Sequence, residues 1–225
     1  MKPAVRWVLV APLLAFAVVV ALWPHADSTS DISAGAAQPA GAPVNLDALR
    51  ARAALQPCPD ATSNAIPVRG VLSGIELPCL GQPGTVDLGA ALAGRPALLN
   101  LWGPLCQPCA QELPALAAYA ARTDAVQVLG VEVQRLPEGA LEMLTALNVH
   151  YPSVSDPDGR LRAALGAPPV LPLSFVVSAD GRVNQVNPPE VLRSPEQVRA
   201  VVQRYLDPGS QGPGSQGPGS QGTVG

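Results

Sequence analysis

Apolar and polar positions divide the chain into four parts. Residues 7 to 23, "WVLVAPLLAFAVVVALW", form one uncharged apolar run. Residues 24 to 45 are small, polar and proline-rich, with no helical or strand period. From 46 to 206, apolar residues recur in strand-like runs and helix-like spacings. From 207 to 225 the pattern is lost: "PGSQGPGSQGPGSQG" repeats one unit with nothing to bury, which predicts a disordered tail.

Within the periodic part, "LDALRARAAL" (46–55) predicts a short helix. "IPVRGVLSGIELPCLGQPGTVDL" is β-branched and broken by Gly and Pro, which predicts short strands or a hairpin. "PALLNLW" (96–102) is apolar throughout, as a strand buried on both faces requires. A helix should follow from Gln107 to Arg122, kinked at Pro114. "AVQVLGVEV" (125–133) reads as a second buried strand. Leu141, Leu144 and Leu147 mark one face of the next helix. "DPDGRLRAALG" reads as a turn and a short helix ended by Gly166. "LSFVVSADGRVNQV" is a strand, a turn at Asp180-Gly181 and a second strand. The last helix has Ser194 as its cap and Pro195 at its first position.

The resulting order is β-α-β-α-(α)-β-β-α. Right-handed crossovers make the first two main strands parallel, and the tight turn makes the last two antiparallel. The expected fold class is α/β: a central mixed sheet with helices on both faces and an N-terminal strand or hairpin extension. That is the arrangement of the thioredoxin fold.

Composition narrows the function. The net charge is −3 with no basic block, which excludes nucleic acid as a partner. Aromatic residues are only 4%, so the core must rest on Leu, Val and Ala. Lys2 and Arg6 precede the apolar run, which predicts an N-in, C-out membrane anchor over 1–23. "AGAAQPAGA" would supply a cleavage site if the run is instead a signal peptide that releases a secreted protein. Residues 24–45 then form a tether, and 46–206 form the domain. Either way the domain faces an oxidising compartment.

Two of the four cysteines, Cys106 and Cys109, stand at Cys-x-x-Cys spacing where a buried strand passes into a helix. A helix start aims unpaired N–H groups and the positive dipole end at the Cys106 sulfur. Both favour thiolate over thiol, the form that attacks a disulfide. Cys109 lies one turn further in, placed to resolve a mixed disulfide. The alternatives are a zinc site completed by Cys58 and Cys79, or a purely structural bridge. Zinc lacks the paired close spacing it would need, and a two-residue loop constrains little unfolded chain. Cys58 and Cys79 most simply form a structural disulfide between the N-terminal extension and the domain, with a second redox relay as the alternative. No metal site is expected. His25 falls in the tether and His150 reads as a surface or loop residue. Glu132, in an apolar strand, is noted at the strand end without an assigned role.

The motif Asn100-Leu101-Trp102, then Cys106-Gln107-Pro108-Cys109, then Glu112-Leu113-Pro114 resembles the TlpA-like family of exported thiol-disulfide oxidoreductases with a thioredoxin fold. The similarity extends over about 70–206, through "VDL", "YPSVSDPDG" and "LPLSFVVSADGRV". The resemblance implies a redox pair, Cys106 and Cys109, with Glu112 handling its proton. It implies a cis-proline at Pro172, with Leu171 and Trp102 as residues of the substrate-binding surface. Trp102 is also expected to pack beneath the active-site loop. Protein or small-molecule disulfides and thiols are the implied partners, with a membrane electron donor or acceptor and no cofactor. The family favours the reductase direction. The rival reading is a thioredoxin-like module that binds a partner protein or a soft metal without turnover. Two features depart from the family: Leu105 replaces a Trp before the first cysteine, and Gly103-Pro104 precedes it. Asn100 stands where thioredoxin has a buried Asp.

Overall fold

The computed structural model describes residues 45–60 and 70–207. The anchor expected over 1–23, the tether expected over 24–45 except Asn45, residues 61–69, and the repeats from 208 lie outside them. The described residues belong to one compact unit beginning at Val44.

Helix α1 (Leu46–Ala53) starts at Asn45, whose side chain accepts the Ala48 N–H at 3.1 Å. Strands β1 (Glu76–Pro78) and β2 (Thr85–Asp87) form the antiparallel hairpin. Asp87 caps helix α2 (Leu88–Ala91), too short to show a period in sequence. Strand β3 (Ala97–Trp102) is buried at every position, as its apolar run predicts. Helix α3 (Gln107–Ala120) runs on through Pro114 as one helix. Strand β4 (Gln127–Glu132) and helix α4 (Pro137–Ala146) follow, then strand β5 (Ser153–Ser155) and helix α5 (Arg160–Ala164). Strands β6 (Leu173–Val177) and β7 (Val183–Gln185) lead to helix α6 (Pro195–Leu206). Its cap is reciprocal: Ser194 Oγ accepts from Gln197 N–H at 3.2 Å, and Gln197 Oε1 accepts from Arg193 N–H at 2.7 Å.

The main sheet has the order β5-β4-β3-β6-β7. Strands β3, β4 and β5 are mutually parallel, β6 pairs antiparallel with β3, and β7 pairs antiparallel with β6. This is a thioredoxin-like fold. Strand β5 was absent from the expected order. It is three residues long and framed by Tyr151-Pro152 and Asp156-Pro157, which read as turns. Only its pairing with Gly130, Val131 and Glu132 makes it a strand.

The sheet divides two cores by the alternation of its side chains. Leu98 and Trp102 face a core built with α1, α3, α4 and α6. Ala97, Leu99 and Leu101 face a second core covered by the hairpin, α2 and Leu161 of α5. The longer helices therefore share one face, and the N-terminal extension roofs the other. The hairpin reaches the sheet edge through Cys79, bridged to Val154, and through Leu80 N–H, which donates to Ser153 O at 2.9 Å.

Candidate active site

Strand β3 ends at Trp102, and after a three-residue loop the chain enters α3 at Cys106. Cys106 is the helix N-cap, with extended backbone at φ −97°. Its Sγ accepts the Cys109 N–H at 3.2 Å, the role a Ser or Asp oxygen plays at other helix starts. Cys106 and Cys109 are joined as a disulfide of 2.02 Å. Cys106 is 8% exposed and Cys109 is 0% exposed, so of the two residues only Cys106 reaches solvent.

Glu112 follows Cys109 by three residues on the same helix face and is wholly buried. Two protein donors hold its carboxyl. Asn100 Nδ2 donates to Oε2 at 2.7 Å, and Leu192 N–H donates to Oε1 at 3.0 Å. Burial raises the Glu112 pKa from an ordinary 4.5 to about 7, against the opposing pull of these hydrogen bonds and with a small push from Glu190. A carboxyl poised there can take or give a proton near neutrality. Asn100 sits on the α3 face of β3 and also donates to Ser174 Oγ at 3.3 Å.

Three buried polar atoms on this face have no hydrogen-bond partner among the described residues: Asn100 Oδ1, Trp102 Nε1 and Tyr151 Oη. Burial, with Glu112 as a second cause, raises the Tyr151 hydroxyl well above its ordinary value and keeps it neutral. Gly130, opposite Asn100 on β4, makes room for this group. A Cβ there would lie 2.9 Å from Trp102 Nε1 and 2.5 Å from Ser153 Oγ.

The Leu171–Pro172 peptide is cis. Ladder pairing between β3 and β6 stops at Leu101 opposite Leu173, so Pro172 lies one residue beyond, at the Trp102 end of the sheet. Leu171 packs against the cluster that contains Cys106 and Cys109. The sequence thus places Cys106, Cys109, Glu112, Leu171 and Pro172 at one end of the sheet. For Trp102 the burial fits the packing expectation and corrects the one that put it on the substrate-binding surface. It is 0% exposed, so its ring is packing beneath the loop and presents no surface to a substrate. Asn187–Pro188 is a second cis peptide, which nothing in the sequence pattern marked.

Cys58 and Cys79 are bonded to each other and belong to the opposite core. The two pairs lie in separate clusters, so a four-cysteine zinc set is not assembled. His150 lies in a loop, partly buried, where Nδ1 pairs with Ala53 O at 2.9 Å and Nε2 with Asn148 Oδ1 at 3.1 Å.

The sequence reading missed Gln134 and Leu192 as site residues. Leu192 acts through its backbone N–H, which carries no sequence signal. Glu132 left a signal without an assignment: a carboxyl in an apolar strand must find donors. It finds Gln134 N–H at 2.6 Å, Leu136 N–H at 3.3 Å and Ser155 Oγ at 2.7 Å.

Among known proteins, the Redoxin family profile matches residues 54–202. The soluble secreted antigen MPT53 of Mycobacterium tuberculosis is 32% identical over 111 residues, covering 49% of this chain and 63% of that protein. The thiol:disulfide interchange protein DsbE of Xylella fastidiosa is 35% identical over 108 residues, covering 48% of this chain and 54% of that protein. The chain therefore spans less than two thirds of the length of these relatives. A crystal structure of a secreted M. tuberculosis disulfide oxidoreductase homologous to E. coli DsbE superposes with a TM-score of 0.51 at 28% identity, covering 57% of this chain and 94% of that one. A secreted thiol-disulfide isomerase from Corynebacterium glutamicum gives a TM-score of 0.50 at 30% identity, covering 58% and 82%. The resemblance read from the cysteine motif agrees with these matches.

Proposed function

The chain belongs to the Redoxin family, and on that premise we propose that it is an extracytoplasmic thiol-disulfide oxidoreductase that reduces partner disulfides. One observation carries the reading. A Cys106–Cys109 disulfide caps a helix, with a buried carboxyl of pKa about 7 one turn behind it.

In the reducing direction the reduced pair starts with Cys106 as thiolate. Its sulfur attacks one sulfur of the partner disulfide, and the other partner sulfur leaves as thiolate. Cys109 then gives up its proton, with Glu112 as the acceptor, and attacks Cys106 Sγ. The mixed disulfide breaks, the second partner thiolate leaves, and Cys106–Cys109 closes. Two electrons pass to the partner, and a membrane-side or soluble thiol donor must restore the pair. Leu171 and Pro172 supply the edge against which the partner chain docks. The bond between Cys58 and Cys79 is structural. The uncharged run over 7–23 holds the domain at the outer face of a membrane. The relative named a soluble secreted antigen supports the extracytoplasmic placement of the domain.

Trapping tests the mechanism. Cys109→Ser should accumulate a mixed disulfide with a disulfide-bonded substrate such as insulin, and Cys106→Ser should neither trap nor reduce. Unchanged reduction by Cys106→Ser overturns the reading, and non-covalent capture alone makes the chain a binding module. A reduction potential of about −270 mV or below fits the reductase direction, whereas about −120 mV would reverse it. Protease digestion of intact cells, with the 1–23 segment present and deleted, tests the tether.

A further inference from the structure

The loop in front of Cys106 is held from another strand. Leu105 N–H donates to Gln134 Oε1 at 2.8 Å. Gln134 in turn is fixed by Glu132, wholly buried at the end of β4 beside Trp102. One oxygen, Glu132 Oε1, accepts from both Gln134 N–H and Leu136 N–H, at 2.6 and 3.3 Å. Arg135 between them has φ 62°, a left-handed conformation that non-glycine residues rarely adopt. That turn lets the two donors on either side of Arg135 converge on one oxygen. Gly103 completes the fit, because a Cβ there would overlap the Gln134 side-chain amide. The glycine that departs from the family motif is thus the place where Gln134 lies.

This clamp ends on an unusual side chain. Leu105 is 78% exposed, directly before the attacking cysteine, and Leu136 on the same clamp is 38% exposed. The stretch from Gly103 to Gln111, loop and first helical turn, carries no charge. An exposed leucine gains nothing in the free protein, but it removes apolar area from water when a partner covers it. A fixed backbone reduces the ordering cost of that contact.

We propose that Gln134, set by Glu132, is a positioning residue that clamps the Leu105 peptide and so presents Leu105 to an apolar side chain next to the partner's reacting cysteine. This rests on the oxidoreductase reading above. The clamp itself is testable without turnover.

The first measurement is amide hydrogen exchange at Leu105 by NMR on the full chain. Gln134→Met removes the acceptor at similar volume, and Gly103→Ala displaces the amide. Each should speed exchange about tenfold or more, whereas Gln134→Glu, which keeps an acceptor, should stay near wild type. The second measurement is steady-state reduction of two disulfide-linked peptides that differ only in having Leu or Ser beside the cysteine. Gln134→Met and Gly103→Ala should raise KM for the Leu peptide about fivefold, hold kcat within about twofold, and leave the Ser peptide unchanged; Gln134→Glu should restore the Leu peptide. Equal exchange in wild type and Gln134→Met overturns the clamp. Fast exchange with unchanged KM for the Leu peptide overturns its role in recognition. A wild type that reduces neither peptide removes the oxidoreductase reading, and the exchange result still decides the clamp.

Discussion

Asn100 gives its side-chain amide to Glu112 across 2.7 Å, from the middle of the central strand to the helix that carries both reactive cysteines. The bond is buried at both ends. It orients the carboxyl behind Cys109 and partly offsets the burial that raises its pKa.

Stability should fall as pH rises through the window that Glu112 defines. Folding lifts its pKa from 4.5 to about 7, so the folded state keeps a proton that the unfolded chain releases between those values. The contribution is full below about pH 4.5 and lost above about pH 7, a change of about 3 kcal/mol. Urea denaturation of wild type and Glu112→Gln across pH 4 to 8 checks this. The difference between their profiles should carry the slope.

Removing the Asn100 amide should push Glu112 higher still. Asn100→Leu deletes a donor to the carboxyl and leaves Oε2 unpaired in the core. The expected cost is about 1–3 kcal/mol at neutral pH. Carbon-detected NMR titration should show the Glu112 carboxyl midpoint moving up from about 7. A midpoint that moves down would mean the bond does not favour the charged form.

Gly130→Ala should cost stability without touching the cysteines. The added methyl meets Ser153 Oγ and Trp102 Nε1 inside contact distance. Overpacking of this kind costs about 1–3 kcal/mol. Thermal unfolding reads it, and a wild-type Tm would show that the Trp102 ring shifts freely.

The Cys58–Cys79 bond should matter for stability and not for exchange chemistry. It spans 21 residues, and a loop of that size stabilises by about 3 kcal/mol on chain-entropy grounds. Cys58→Ser with Cys79→Ser should lower the denaturation midpoint accordingly and keep insulin reduction near wild type. Loss of reduction in a folded double variant would make the pair a relay.

How much was legible in advance follows from how local each signal is. Ser194-Pro195 announces a helix start because the cap is made within four residues. The run 97–102 announces a buried strand because both faces must be apolar. Cys-x-x-Cys at a strand-to-helix junction announces a cysteine pair at a helix start because backbone N–H groups and a sulfur meet there by local geometry alone. Strand β5 escaped because three residues between prolines have no period; its state is decided by β4.

The order of the longer elements, the cysteine site and the placing of Glu112 behind Cys109 are written in the sequence, since hydrophobic period and helix spacing act over a few residues. The tertiary structure alone decided that Leu192 N–H and Asn100 would meet in one buried carboxyl. It also decided that Gln134, 29 residues downstream, would grip Leu105. Those contacts depend on which strand lies beside which and in what register. Register is set by the packing of the whole core, which no short stretch of residues encodes.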